Sequence, residues 1–166
     1  MSVTNPLFVS LARPSRASTK PLNWVPVAVL RSPIHPILSS KMLLIEFVGR
    51  RSGRRYATPV NYHQDGSTVL ITTDSPWFKD FIGGGGHTIV QLRGQTRRVR
   101  VEVVTDPVEA AAGLITIVRA QPGYGRWTNV KIASGGEPDH DDARAEIARG
   151  RVLLRLHLLD QEARRC

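Results

Sequence analysis

The dipeptide Asp65-Gly66 stands between Val60-Asn61-Tyr62-His63 and Thr68-Val69-Leu70-Ile71-Thr72. Such a pair readily takes the positive φ angles of a tight reversal, so the flanking runs are committed to an antiparallel hairpin. A second reversal follows at Arg93-Gly94-Gln95, joining His87–Leu92 to residues 96 to 104, where Val99, Val101 and Val103 alternate with Arg98, Arg100 and Glu102. Alternation with a period of two buries one strand face and leaves the other, here basic, to solvent. Met42–Val48 is an apolar run of strand length closed by Gly49, residues 55 to 63 resume an extended pattern, and residues 151 to 159 supply a closing strand. Hairpin-linked strands with helices inserted or appended predict an α+β, mainly β fold built as an antiparallel barrel rather than a parallel βαβ sheet.

Helix signals fall between the strands. Asp106-Pro107 opens a helix reaching about Ala120, with Val108, Ala111, Ala112, Ile115 and Val118 on its inner side, and Gln121-Pro122-Gly123 stops it. Asp74 or Ser75 caps a short helix that starts at Pro76, carries Trp77, Phe78, Phe81 and Ile82, and ends at the glycine run 83 to 86. An acidic loop over residues 133 to 142 precedes a short helix beginning near Asp142. A length of 166 residues suits one core, expected over residues 22 to 160. A flexible basic segment, 1 to 21, precedes it, residues 22 to 38 are broken into short helical turns by Pro26, Pro33 and Pro36, and a tail, 161 to 166, follows.

Charge narrows the partner class. The chain carries a net +9, and Arg makes up 19 of its 23 cationic residues. Arg grips phosphates and carboxylates with a planar fork, so an anionic ligand or surface is the expected partner. Arg93, Arg97, Arg98 and Arg100 form a basic strand face, but no aromatic residues for base stacking lie near them, so nucleic acid is disfavoured. Cys166 is the lone cysteine and the five histidines lack metal-site spacing, so no metal site is expected. A reducing, cytoplasmic location follows, with the basic N-terminal arm in contact with anionic membrane as a peripheral alternative; no apolar run approaches the roughly 20 residues of a membrane span.

One turn concentrates the charge. Gly49-Arg50-Arg51-Ser52-Gly53-Arg54-Arg55 links two strands and holds four arginines, a hydroxyl and two glycines, a composition able to offer backbone N–H groups and guanidinium forks to one anion. A solvated basic loop that protects a sheet edge is the competing reading of the same residues.

The order of Gly49-Arg50-Arg51-Ser52-Gly53, Tyr56-Ala57-Thr58-Pro59-Val60, Asp65-Gly66 and Pro76-Trp77-Phe78-Lys79-Asp80-Phe81 resembles the deazaflavin-dependent nitroreductase family over roughly residues 30 to 130. The resemblance implies a split antiparallel β-barrel related to flavin-reductase and pyridoxamine-phosphate-oxidase-like domains. It implies hydride transfer from the 8-hydroxy-5-deazaflavin coenzyme F-420, with FMN as alternative cofactor, to a quinone, nitroaromatic or enone acceptor. By the same resemblance, Arg50, Arg51, Ser52, Gly53, Arg54, Thr58 and Pro59 hold the cofactor's anionic tail. Trp77, Phe78 and Lys79 flank its ring, Tyr124 or Lys79 donates a proton, and Trp127 lies near the substrate. The chain departs from many members in having Tyr56 three residues before the motif proline and only Asp74 and Ser75 between Thr73 and Pro76. A homodimer through a sheet face is a further partner expectation. A non-catalytic split barrel that binds a flavin-like or tetrapyrrole ligand, and a basic nucleic-acid or membrane-surface adaptor, are the alternative functions.

Overall fold

The computed structural model describes residues 40 to 83 and 86 to 159. The expectations for segments 1 to 21 and 22 to 38, for glycines 84 and 85, and for the tail 161 to 166 lie outside the described residues. Six strands run in chain order: β1 Met42–Val48, β2 Arg55–Asp65, β3 Thr68–Thr73, β4 His87–Leu92, β5 Gln95–Val104 and β6 Val152–Leu158. They form a closed barrel in the order β1-β2-β3-β6-β5-β4, every pairing antiparallel. Both predicted hairpins are present. Gly66 takes φ +58° in the first, while Arg93 and Gly94 take +50° and +75° in the second, the pair of positive angles that a two-residue reversal compatible with strand twist requires.

Alternation decides what fills the barrel. Leu43, Ile45 and Phe47 of β1 point inward with Val60 and Tyr62, Val69 and Ile71, Val90 and Leu92, Val99 and Val101, and Leu154, Leu156 and Leu158. β6 enters between β3 and β5 and pairs with both along its length. The closing seam is shorter: β1 meets β4 over Leu44↔Gln91, Ile45↔Val90 and Glu46↔Ile89, whereas β1 and β2 are in register from Met42↔Asn61 to Val48↔Arg55.

A second core lies outside the barrel, under helix α1 Pro107–Ala120 and helix α2 His140–Ala148. Asp106 caps α1 as its sequence predicts, its Oδ1 accepting from the backbone N–H of Val108 at 2.8 Å and of Glu109 at 2.9 Å. The inner face differs from the predicted one. Ala110, Ala111, Leu114, Ile115, Ile117 and Val118 are buried, while Ala112 is exposed and Val108, in the first turn, is 72% exposed. α1 approaches the sheet closely because residue 113 is glycine: a Cβ there would stand 2.3 Å from Cδ2 of the fully buried Leu153. α2 starts two residues earlier than predicted, because Asp139 rather than a later acid is the cap, accepting from the N–H groups of Asp141 at 2.8 Å and Asp142 at 2.9 Å. Among the described residues no helix is long and apolar enough to cross a membrane, and no cluster of three or more His, Cys, Asp or Glu side chains is placed to hold a metal.

Candidate functional site

The Arg-rich turn leaves β1 at Gly49 and enters β2 at Arg55. Its glycines have different reasons. Gly53 takes φ +63°, a conformation that costs L side chains energy. Gly49 is buried, and a Cβ on it would stand 2.8 Å from both Ser52 Oγ and the Tyr56 ring. Between them the turn closes on itself, the Gly49 N–H donating to the Arg54 carbonyl at 2.9 Å and the Gly53 N–H to the Gly49 carbonyl at 2.8 Å.

The polar groups of the turn divide into two sets. One set is spent on structure. The Arg50 N–H donates to Asp80 Oδ1 at 3.1 Å and its guanidinium to the Ile82 carbonyl at 2.6 Å, tying the turn to the far end of the 3-10 helix Pro76–Phe81. Ser52 Oγ meets the Tyr56 hydroxyl at 3.1 Å and accepts from the Arg54 N–H at 3.3 Å. The other set is open: the side chains of Arg51, Arg54 and Arg55 are exposed and meet no acceptor among the described residues. Three guanidinium forks on seven residues, together with the N–H groups of Arg51 and Ser52, make a surface that fits an anionic tail.

Aromatic rings support the turn from below. Phe47 stacks on Tyr56 with centroids 5.5 Å apart and on Trp77 at 5.3 Å, both at 23°, and Phe81 meets Phe47 and Trp77 edge-on at 6.0 and 6.1 Å. Offset and edge-on pairs of this kind are favourable beyond the area they bury. Phe81 also separates two clefts. One, of about 360 Å3, borders the turn and is lined by Phe47, Arg55, Tyr56, Asp80, Phe81 and His87 among others. The other, of about 630 Å3, lies on the opposite side and is lined in part by Phe78.

The structure thus brings together Arg50, Arg51, Ser52, Gly53 and Arg54 with the helix that carries Trp77, Phe78 and Lys79. Ser75 occupies the cap position of that helix without a side-chain bond to it, and Pro76 is its first residue. Lys79 is exposed. Thr58 and Pro59 stand further along β2, opposite Ile45 and Leu44. Tyr124 is apart from them. It is buried in the second core against α1, its hydroxyl 2.8 Å from Thr72 Oγ1, and burial raises its pKa above the ordinary phenol value. Trp127, three residues on, is 40% exposed. Replacing Tyr124 with Phe leaves the buried Thr72 hydroxyl without that partner, so folding stability is expected to fall by about 1–2 kcal/mol in urea denaturation; a change below about 0.3 kcal/mol would show that the bond contributes nothing.

Phe47, Tyr56 and Asp80 were not singled out as site residues by sequence. Phe47 was legible as an inward position of β1, and Asp80 lies inside the aromatic motif, but the bond from the Arg50 N–H to Asp80 spans 30 residues and has no local signature.

No family model matches the chain, and no curated protein matches it by sequence. Among solved structures it is similar to a protein of Bacteroides thetaiotaomicron assigned to 5-nitroimidazole antibiotic resistance, at 14% identity over 74% of this chain and 76% of that one, with a TM-score of 0.46. It is also similar to a protein described as an F420 reductase, at 13% identity over 79% of this chain and 90% of that one, with a TM-score of 0.42. Any functional reading rests on the site itself.

Proposed function

We propose that the chain is a deazaflavin-dependent oxidoreductase that uses coenzyme F-420, with FMN as the alternative, to reduce an electrophilic small molecule such as a quinone, nitroaromatic or enone. The observation that carries this reading is the pairing of three exposed guanidinium forks, on Arg51, Arg54 and Arg55, that meet no acceptor among the described residues, with a cleft walled by the rings of Phe47, Tyr56 and Phe81. When bound, the coenzyme supplies the hydride. The chain's own part is to hold and orient. Arg51 and Arg54 grip the anionic tail, while Arg50, committed to Ile82, fixes the turn against the helix so that the forks and the aromatic wall keep one geometry. The stacked rings exclude water from one side of the cleft, and Lys79, exposed on the adjoining helix, is a proton source for the reduced acceptor.

Titration with the deazaflavin and with FMN, followed by quenching of cofactor fluorescence, tests the reading. Saturable quenching at micromolar protein is expected for the deazaflavin, and the double variant Arg51→Ala/Arg54→Ala should weaken it at least about tenfold through loss of charge-assisted bonds. The melting temperature should stay nearly constant, because exposed charges contribute little to stability. Absence of quenching by either cofactor would overturn the proposal.

A further inference from the structure

Strand alternation sends every second residue of the barrel outward, and around the short join of β1 with β4 the outer wall is unusual. Leu43, Ile45 and Phe47 fill the interior, so Glu46 and Val48 face out, as do Ile89 beside the inward Val90 and Arg98 beside the inward Val99. The register sets Ile89 between Glu46 of β1 and Arg98 of β5, and Val48 opposite Arg55 of β2. Val48 and Ile89 are therefore diagonal neighbours across the join, within reach of one another. They are 54% and 40% exposed, and both line the smaller cleft. Ile82, 47% exposed, is held at the foot of the Arg-rich turn by the bond from Arg50 to its carbonyl.

An exposed aliphatic residue alone is ordinary surface, but these three stand among exposed cations. Arg51, Arg54 and Arg55 are exposed on the turn and Arg98 on the wall, whereas the carboxylates nearby, Glu46 and Asp80, are half-buried. Asp80 already accepts from the Arg50 N–H. Charge is also divided along β1. Just before its start, the Lys41 carbonyl accepts from Gln121 at 3.3 Å, and two residues before Gln121 the side chain of Arg119 pairs at 2.7 Å with Glu137, which belongs to the segment that also holds Asp139, Asp141 and Asp142. The acidic segment thus lies toward the start of β1 and the arginines at its end, so a negative surface attracts one pole of the domain and repels the other.

We infer that the end of the barrel bearing the Arg-rich turn docks on an anionic lipid bilayer, with Arg51, Arg54 and Arg98 among the headgroups and Val48, Ile82 and Ile89 at the acyl boundary. Guanidinium forks pair with lipid phosphates, and the aliphatic side chains gain only where an apolar phase receives them. A nucleic-acid duplex offers the phosphates without that phase, and no exposed aromatic ring stands in the patch to stack on bases. A second copy of the chain would bring its own arginines against these. The inference does not rest on the oxidoreductase reading: Val48, Ile89 and Arg98 hold no part of the coenzyme there, and its test needs no cofactor.

Co-sedimentation of the full chain with phosphatidylcholine vesicles, with and without phosphatidylglycerol, tests it. Binding to the anionic vesicles should be at least about tenfold tighter and should weaken as salt rises. Arg98→Gln should weaken it about fivefold, and Val48→Thr/Ile89→Thr, which keeps the branched shape but makes it polar, about tenfold. The melting temperature of both variants should stay within a few degrees, since the altered side chains are exposed. In a Cys166→Ser background, an environment-sensitive dye on Ile89→Cys should shift to the blue on anionic vesicles. The same dye on Ile132→Cys, exposed and bridged to Pro138 in the acidic segment, should not. Equal affinity for the two kinds of vesicle, undiminished binding in both variants, as when another part of the chain makes the contact, or equal blue shifts at the two labelled positions would each overturn the assignment. So would binding to duplex DNA as tight as to the anionic vesicles.

Discussion

Replacing Glu146 with alanine should lower folding stability by about 3–5 kcal/mol, because it removes one partner of a buried ion pair and leaves the other enclosed. The side chains of Glu146 and Arg151 are 7% and 9% exposed, and their contact joins α2 to the start of β6. Without Glu146, the guanidinium retains, among the described residues, Asp74, exposed and 3.6 Å away, the Trp127 carbonyl and the neutral hydroxyl of Tyr124. The loss should also depend on pH. Burial pushes the Glu146 carboxyl up, but the hydrogen bonds from Asn129 and Arg149 with the charge of Arg151 outweigh it, so its pKa lies below the ordinary 4.5. A carboxyl lowered in the folded state stabilises fully above its unfolded pKa, and that contribution disappears as the pH falls through the folded value. Urea denaturation of the two proteins should therefore show the largest gap near neutrality and a narrowing gap below about pH 4.5. A gap that stays constant down to pH 3 would mean that packing, not charge, holds this corner together.

Leu153→Ala should cost about 2–5 kcal/mol, the range for truncating a fully buried leucine. A double-mutant cycle gives it a sharper form. Gly113→Ala alone gains helix propensity of roughly 1 kcal/mol but drives a Cβ to within 2.3 Å of Leu153, and overpacking a closed interface costs about 1–3 kcal/mol. In the double variant the new methyl occupies space that Leu153 has vacated, so the loss should be smaller than the sum of the single losses by at least about 0.5 kcal/mol. Additive effects in chemical denaturation would show that α1 has shifted away from the sheet rather than pressing on it.

Much of the barrel was written locally. The first reversal turns at Gly66-Ser67, one step along from the Asp65-Gly66 pair that signals it, the second turns at Arg93-Gly94, and the alternation around Val99 and Val101 states which side is inner. The place of β6 was not so written. Its neighbours, β3 and β5, are distant in sequence, and its pattern in isolation does not say which two strands it lies between. The spacing misplaces Val108 and Ala112 because the buried sector is set by what α1 packs against, α2 above all and then the outer wall of the barrel.

At the turn, sequence located the charge but not its division of labour. Arg50 and Arg51 are adjacent and chemically alike, yet one is fastened to the Ile82 carbonyl and the other is open. Only the fold separates them, since the difference comes from an acceptor 32 residues away. The same holds for Arg151 and Glu146, whose pairing is a product of how α2 hands the chain to β6.

The barrel is fastened unevenly. β1 and β4 share the shortest register of any neighbouring pair, and Glu46, His87, Thr88 and Ile89 along that join also line the cleft beside the Arg-rich turn. Few ladder bonds must break there for the two strands to part. The line along which the wall is least laddered, braced by the bond from the Thr88 hydroxyl to the Glu46 carbonyl, thus runs into the mouth of the smaller cleft.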